Sequence, residues 1–155
     1  MRTLVILDVV LTAGTLLAVP SFAQERTIKR AELPAAVQQA LVKQTEGATI
    51  RSLSAEKENG QAFYEAALTV NGHTKDISMD GAGNVAEVEE EIAFDSLPTT
   101  VKDGLQSKAG NGKIVKVESL TKHHKLVAYE AKVIKEGKKS ELQVGPQGQP
   151  LDHEE

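Results

Sequence analysis

The sequence predicts an α+β fold of two tandem repeats, each one helix packed on a three- to four-stranded antiparallel sheet. Three observations carry this expectation. Apolar residues at helical spacing are followed, twice, by segments in which apolar and polar residues alternate. Asn-Gly pairs and glycine-rich turns punctuate those segments. The chain also restates itself. Leu33-Pro34 returns as Leu97-Pro98, Val37 and Leu41 as Val101 and Leu105, and Ile50 as Ile114. After one extra residue, Tyr64-Glu65-Ala66 returns as Tyr129-Glu130-Ala131, and Gly72 and Gly83 return as Gly137 and Gly148. An ordered series of matches over most of the chain implies two copies of one module.

In the first copy, Pro34 suits the first turn of a helix, where its missing N–H costs little. Leu33, Val37, Ala40 and Leu41 share one face, and Gly47 is the expected stop. A weak alternation over 49–58 centres on Ile50 and Leu53. Asn59-Gly60 tolerates the positive φ of a tight hairpin turn. Tyr64, Ala66, Leu68 and Val70 then share one face of a strand over 63–70. Asn71-Gly72 turns the chain into a strand carrying Ile77 and Met79, and residues 80–84 turn it again. Residues 85–92 read as a fourth, acidic edge strand. In the second copy Asp95-Ser96 offers helix-capping oxygens, Leu97, Val101 and Leu105 form the helix face, and Gly110 and Gly112 end it. Strands follow at about 113–121, 126–135 and 139–144. Each strand alternates, so each sheet has one dry face for its helix and one wet face.

The organisation along the chain is a signal peptide at 1–23, a mobile leader at 24–32, repeat one at 33–92 and repeat two at 93–155. Arg2, the apolar run over 9–19 and the small-x-small pattern Ser21-Phe22-Ala23 define the signal. The run is short for a membrane span of roughly 20 residues, so no stable span is expected after cleavage. No linker rich in Pro or Ser separates the copies, which implies a fixed interface. The net charge of −4 gives no electrostatic case for a nucleic-acid partner. With no cysteine, the chain has neither disulfides nor a thiol nucleophile. Aromatics are 3% of the residues, so aliphatic side chains must build the cores.

A signal peptide before tandem helix-plus-meander modules resembles the PepSY-like family, in the group named for similarity to the beta-lactamase inhibitory protein. The matching residues are Leu33-Pro34 with Val37 and Leu41, Tyr64-Glu65-Ala66 and the 80–83 turn, with their echoes in copy two. The resemblance covers about 31–155. It implies an exported, non-enzymatic binding module, periplasmic or secreted, modulating peptidases or other envelope proteins. The chain departs from the inhibitor in lacking its disulfides and its aromatic-rich binding face, which argues against tight β-lactamase inhibition.

No catalytic motif is present and no cofactor is implied. Adjacent strand residues face opposite ways, so His123-His124 would not converge on a metal. His73 sits beside a turn. His153, with Asp152 and Glu154, could at most bind metal weakly, since a structural site needs about four converging ligands. Residues 80–91 fail the EF-hand pattern at position three, Ala82. Glu65 and Glu130 could imitate a glycosidase pair, but their repeat equivalence explains them. Ser52 and Ser54 lack a histidine context for nucleophilic activation. The acidic run 87–91 reads as a solvated edge that blocks aggregation. What remains is the wet face. Ser52, Ser54, Glu65, Thr69, Asp76 and Ser78, with Lys116, Glu118, Glu130, Lys132, Glu141 and Gln143, are the candidate contacts for a protein or peptide partner in the cell envelope. The alternative is metal or ligand sensing through the acidic segments. Mass spectrometry of the exported protein is expected to find Gln24 as its first residue; a membrane fraction that retains Met1 would contradict the signal assignment.

Overall fold

The computed structural model describes residues 25–155; the expected signal segment lies outside them. Two helices lie on one antiparallel sheet of eight strands, whose spatial order is the chain order. Strand β1 (Arg26–Thr27) precedes helix α1 (Ala35–Gln44), β2 (Thr49–Glu58), β3 (Gln61–Val70), β4 (His73–Asp80) and β5 (Val85–Glu91). Helix α2 (Thr99–Ala109) leads to β6 (Lys113–Lys122), β7 (Lys125–Lys135) and β8 (Lys138–Val144). The α+β class therefore holds. The expectation of two separate small sheets gives way to a continuous one.

The seam is β5. It was expected at an edge, yet it pairs with β4 through Ile77↔Val88 and with β6 through Val88↔Thr121. The acidic run is consequently in the middle of the sheet. The physical reason is the short connection: α2 lies across one face and returns the chain directly beside β5. A second correction concerns the expected leader. From Arg26 it belongs to the fold, because Arg26–Thr27 pairs with β2 and Ile28 is buried in the first core.

Both helices begin in the same way. A short 3-10 turn, Arg30–Glu32 or Phe94–Ser96, leads to a buried leucine and then a proline at the N-cap. Asp95 and Ser96 are spent in that turn, so no side chain caps α2, contrary to expectation. Helix α1 stops at Thr45, before Gly47, where the Thr45 hydroxyl and backbone N–H both donate to the Leu41 carbonyl. Helix α2 stops at Gly110, as its sequence suggests.

Two cores lie under the helices. Val37 and Leu41 pack with Leu53, Ala66, Leu68, Ile77 and Met79. Val101 and Leu105 pack with Val117, Tyr129, Ala131, Val133 and Val144. Tyr64 and Tyr129 both point to the helix side, as strand parity requires. Bulges follow Ile50 in β2 and Ile114 in β6, at corresponding places in the two halves. His123 and His124 make the β6–β7 turn with φ of 48° and 64°, doing what Asn59-Gly60 does between β2 and β3. Histidine is among the residues that enter this region more readily than most.

Turns at the far end of each core press against a helix. A Cβ on Gly83 would stand 2.7 Å from the Ala36 carbonyl oxygen, and one on Gly148 would clash with that of Thr100. Both glycines also have φ near +80°. Leu41→Ala and Leu105→Ala are each expected to cost about 2–5 kcal/mol, read as lower denaturation midpoints. Gly148→Ala should lower the midpoint too, by clash rather than by cavity. An unchanged midpoint in any of the three would contradict the packing described.

Candidate functional site

The helices cover one side of the sheet. Side chains of the opposite parity form the other side, and all the candidate contacts named above lie there. Ser54, Glu65, Ser78 and Glu87 stand in register across β2 to β5, with Lys122 next on β6. Ser52, Ala67, Asp76, Glu89, Leu120 and Ala128 form the adjacent row. Glu91, Glu118, Glu130 and Gln143 continue across β5 to β8, with Lys116, Lys132 and Glu141 beyond them. The C-terminal tail returns to this side: the Glu155 N–H donates to Gln143 Oε1 and its carboxylate lies 3.9 Å from Lys122 Nζ.

Burial is uneven on this face. Ala67, Leu120 and Ala128 belong to neither helix-covered core, yet all three are buried. They form an apolar floor among the carboxylates. Glu118 is 1% exposed. Lys116 Nζ donates to its Oε1, and Lys132 Nζ lies 3.4 Å from Oε2, which accepts no hydrogen bond. Oε2 thus has an ion pair without a hydrogen bond, an incomplete compensation for a buried charge. Burial opposes the Lys132 ammonium, but Glu118, Glu141 and Glu130 together raise its pKa. Asp76 is held by Arg51, Nη2 to Oδ1 at 2.9 Å, and Glu87 lies 3.7 Å from Lys122 Nζ. Glu130 accepts from Gln143, and Glu91 accepts twice from Thr74.

Glu65 and Glu89 differ. Among the described residues neither has an ion pair or a hydrogen-bonded side-chain partner. Desolvation, first, and the charges of Asp76, Glu25, Glu56 and Glu87 push Glu65 up to about 7. Desolvation, then Glu118, Glu130 and Glu87, push Glu89 up to about 7 against the pull of Lys132. Burial also raises Glu87, with Lys122 opposing. A cavity of about 60 Å³ lies among Glu65, Asp76, Ser78, Glu87 and Glu89. Beside it, a larger one of about 270 Å³ adds Glu56, Glu58, Phe63, Ala86, Lys122 and His123. Carboxylate oxygens of Asp76, Glu89 and Glu118 come within 4.8 Å of one another. The histidines do not join them: His73, His123 and His153 are exposed, the second at the rim of the larger cavity. Glu87 and Glu89 are the residues sequence reasoning missed. The signal available was the Glu87-Val88-Glu89 alternation, which marks a strand with one dry face and so an interior strand as readily as an edge.

These features define an α+β protein with one helix-covered sheet face and one open, predominantly acidic face. No protein-family model matches the chain, and no curated protein does. Solved structures do. A BLIP-like protein from Bacteroides fragilis has 24% identity and a TM-score of 0.57, over 77% of this chain and 83% of its own. A DUF2874 family protein from Bacteroides ovatus has 22% identity and a TM-score of 0.60, over 77% and 85%. A protein of Bacteroides eggerthii, assigned to the periplasm by inference, has 17% identity and a TM-score of 0.61, over 76% and 84%. The fold is BLIP-like. Among the described residues no helix is long and apolar enough to cross a membrane.

The raised carboxylates set a sign for pH dependence. A glutamate with an ordinary pKa of 4.5 when unfolded and about 7 when folded binds more protons in the folded state between those values. Stability contributed by Glu65 and Glu89 should therefore fall as pH rises from about 4.5 to 7, and level off above. Glu65→Gln and Glu89→Gln should each raise the thermal midpoint at pH well above 7 and flatten that slope. Melts across the pH range check this; variants that steepen the slope would contradict the assignment.

Proposed function

We propose that the chain is an exported, non-enzymatic binding module of the PepSY-like kind, acting in the periplasm or outside the cell. In this reading it is two copies of one helix-plus-meander unit, fused edge to edge, that recognise an envelope or secreted protein, a peptidase among the candidates. The observation that carries it is the open face: a sheet covered by helices on one side and left polar and largely uncovered on the other. The paired leucine–proline helix starts and the matching bulges after Ile50 and Ile114 support the duplication. A BLIP-like fold and a periplasmic assignment among the neighbours favour the compartment and the class.

Cation binding is the second reading, favoured by the convergence of Asp76, Glu89 and Glu118. Calorimetry with calcium chloride separates it, since hard divalent ions take oxygen ligands.

The test of the first reading is positional. A photo-reactive residue at Ser52 or Lys132, on the open face, should cross-link a partner in envelope extract. The same residue at Gln39 or Gln106, on the exposed sides of the helices, should not. Cross-links confined to the helix positions would overturn the reading.

A further inference from the structure

Charge on the open face is not balanced locally, and the imbalance has a place. Arg51 neutralises Asp76, Lys122 approaches Glu87, and Lys116 and Lys132 flank Glu118. No cation comes within ion-pair distance of Glu56, Glu58, Glu65 or Glu89 among the described residues. The excess negative charge therefore gathers over β2 to β5. It is not spread over the face, because β6 and β7 carry their own lysines.

The shape at that place suits one chemistry. Phe63 lines the larger cavity together with four carboxylates, Glu56, Glu58, Glu65 and Glu87, against one lysine, Lys122, and His123 at its rim. An aromatic wall with a carboxylate rim accepts the methylene stem of a lysine or arginine and its charged head. The smaller cavity continues past Ser78 to Asp76 and Glu89. Beyond it lies the buried Glu118 oxygen that accepts no hydrogen bond, its carboxylate within 4.8 Å of those of Asp76 and Glu89. A donor entering here would meet Glu65 and Glu89, which no side chain of the described residues engages, while Arg51 holds Asp76 and Lys116 and Lys132 hold Glu118.

We propose that the open face docks a basic polypeptide segment, whose lysine or arginine side chains seat on Glu65 and Glu89 across β3 and β5. The proposal rests on the binding-module reading and names the chemistry of its partner. Binding of a cation should draw protons off these two carboxyls near neutral pH. The charges facing them oppose or assist that release: Glu25, Glu56, Asp76 and Glu87 around Glu65, with Lys122 across the same cavity, and Glu87, Glu118, Glu130 and Lys132 around Glu89.

The test titrates the protein calorimetrically with an alternating Arg-Ser octapeptide amide, with an alternating Glu-Ser octapeptide as control, in two buffers of different ionisation enthalpy. The expected result is binding of the basic peptide only, with proton release near pH 7. The pair Glu65→Gln with Glu89→Gln should weaken it about tenfold or more and abolish the proton release. A pair that removes the same number of carboxyls from the helix side, Glu46→Gln with Asp103→Asn, should change affinity by less than about twofold, because exposed charges beyond roughly 10 Å are screened. Glu65→Gln alone gives an intermediate loss and serves if the double variant folds poorly. Equal losses from both pairs would show attraction to overall charge and overturn the docking site. Calcium chloride that releases the same protons, with no peptide binding, would assign the acids to a metal and overturn it as well. If cross-links form at Ser52 but the basic peptide neither binds nor competes, a partner exists and is not basic. In that case this inference fails while the binding-module reading stands.

Discussion

The pairing of β5 with β6 is the contact on which the rest depends. Five residue pairs, from Glu87↔Lys122 to Glu91↔Glu118, join two small helix-covered units into one sheet. A unit of roughly 60 residues buries too little of its own surface to be comfortable alone, and this one has no disulfide to help. The seam gives each half a hydrogen-bonded neighbour where it would otherwise present an open edge. It also fixes the two uncovered surfaces in one plane of reference, so that Ser54 on β2 and Gln143 on β8 belong to a single face.

That same seam creates the electrostatic character of the face. Placed at an edge, Glu87 and Glu89 would be hydrated and ordinary. Placed between strands, they stand among Ala67 and Leu120 and beside other carboxylates, and desolvation dominates. The dry side of the sheet is conventional in comparison: aliphatic side chains at alternating positions meet two short helices, with a tyrosine in each core. Stability resides on one side, while the polar groups with incomplete partners collect on the other.

How far this could be foreseen depended on distance along the chain. Helix faces, hairpins and the inward pointing of Tyr64 and Tyr129 follow from spacings of two to four residues, and these were legible. So was membership of the open face, because strand parity alone assigns Glu65, Asp76, Glu118 and Glu130 to it. The partner of β5 was not legible. The pattern over 85–91 is the same for an edge strand and a central one, and only the return path of α2 decides between them. The Arg51–Asp76 bridge was hidden by the bulge after Ile50, which turns a residue counted out of register toward β4. Ile28 carried too little local pattern to mark the preceding segment as part of the core.

Every strand pairs with the strand next to it in the chain. Five of the seven pairings are hairpins and the other two span a single helix, and local pairings are the ones that form quickly. For a polypeptide emerging amino end first, β1 to β4 can assemble before β8 exists, each new strand adding to a finished border. The late strands then arrive on a template, and the sheet grows in the order in which the chain is delivered.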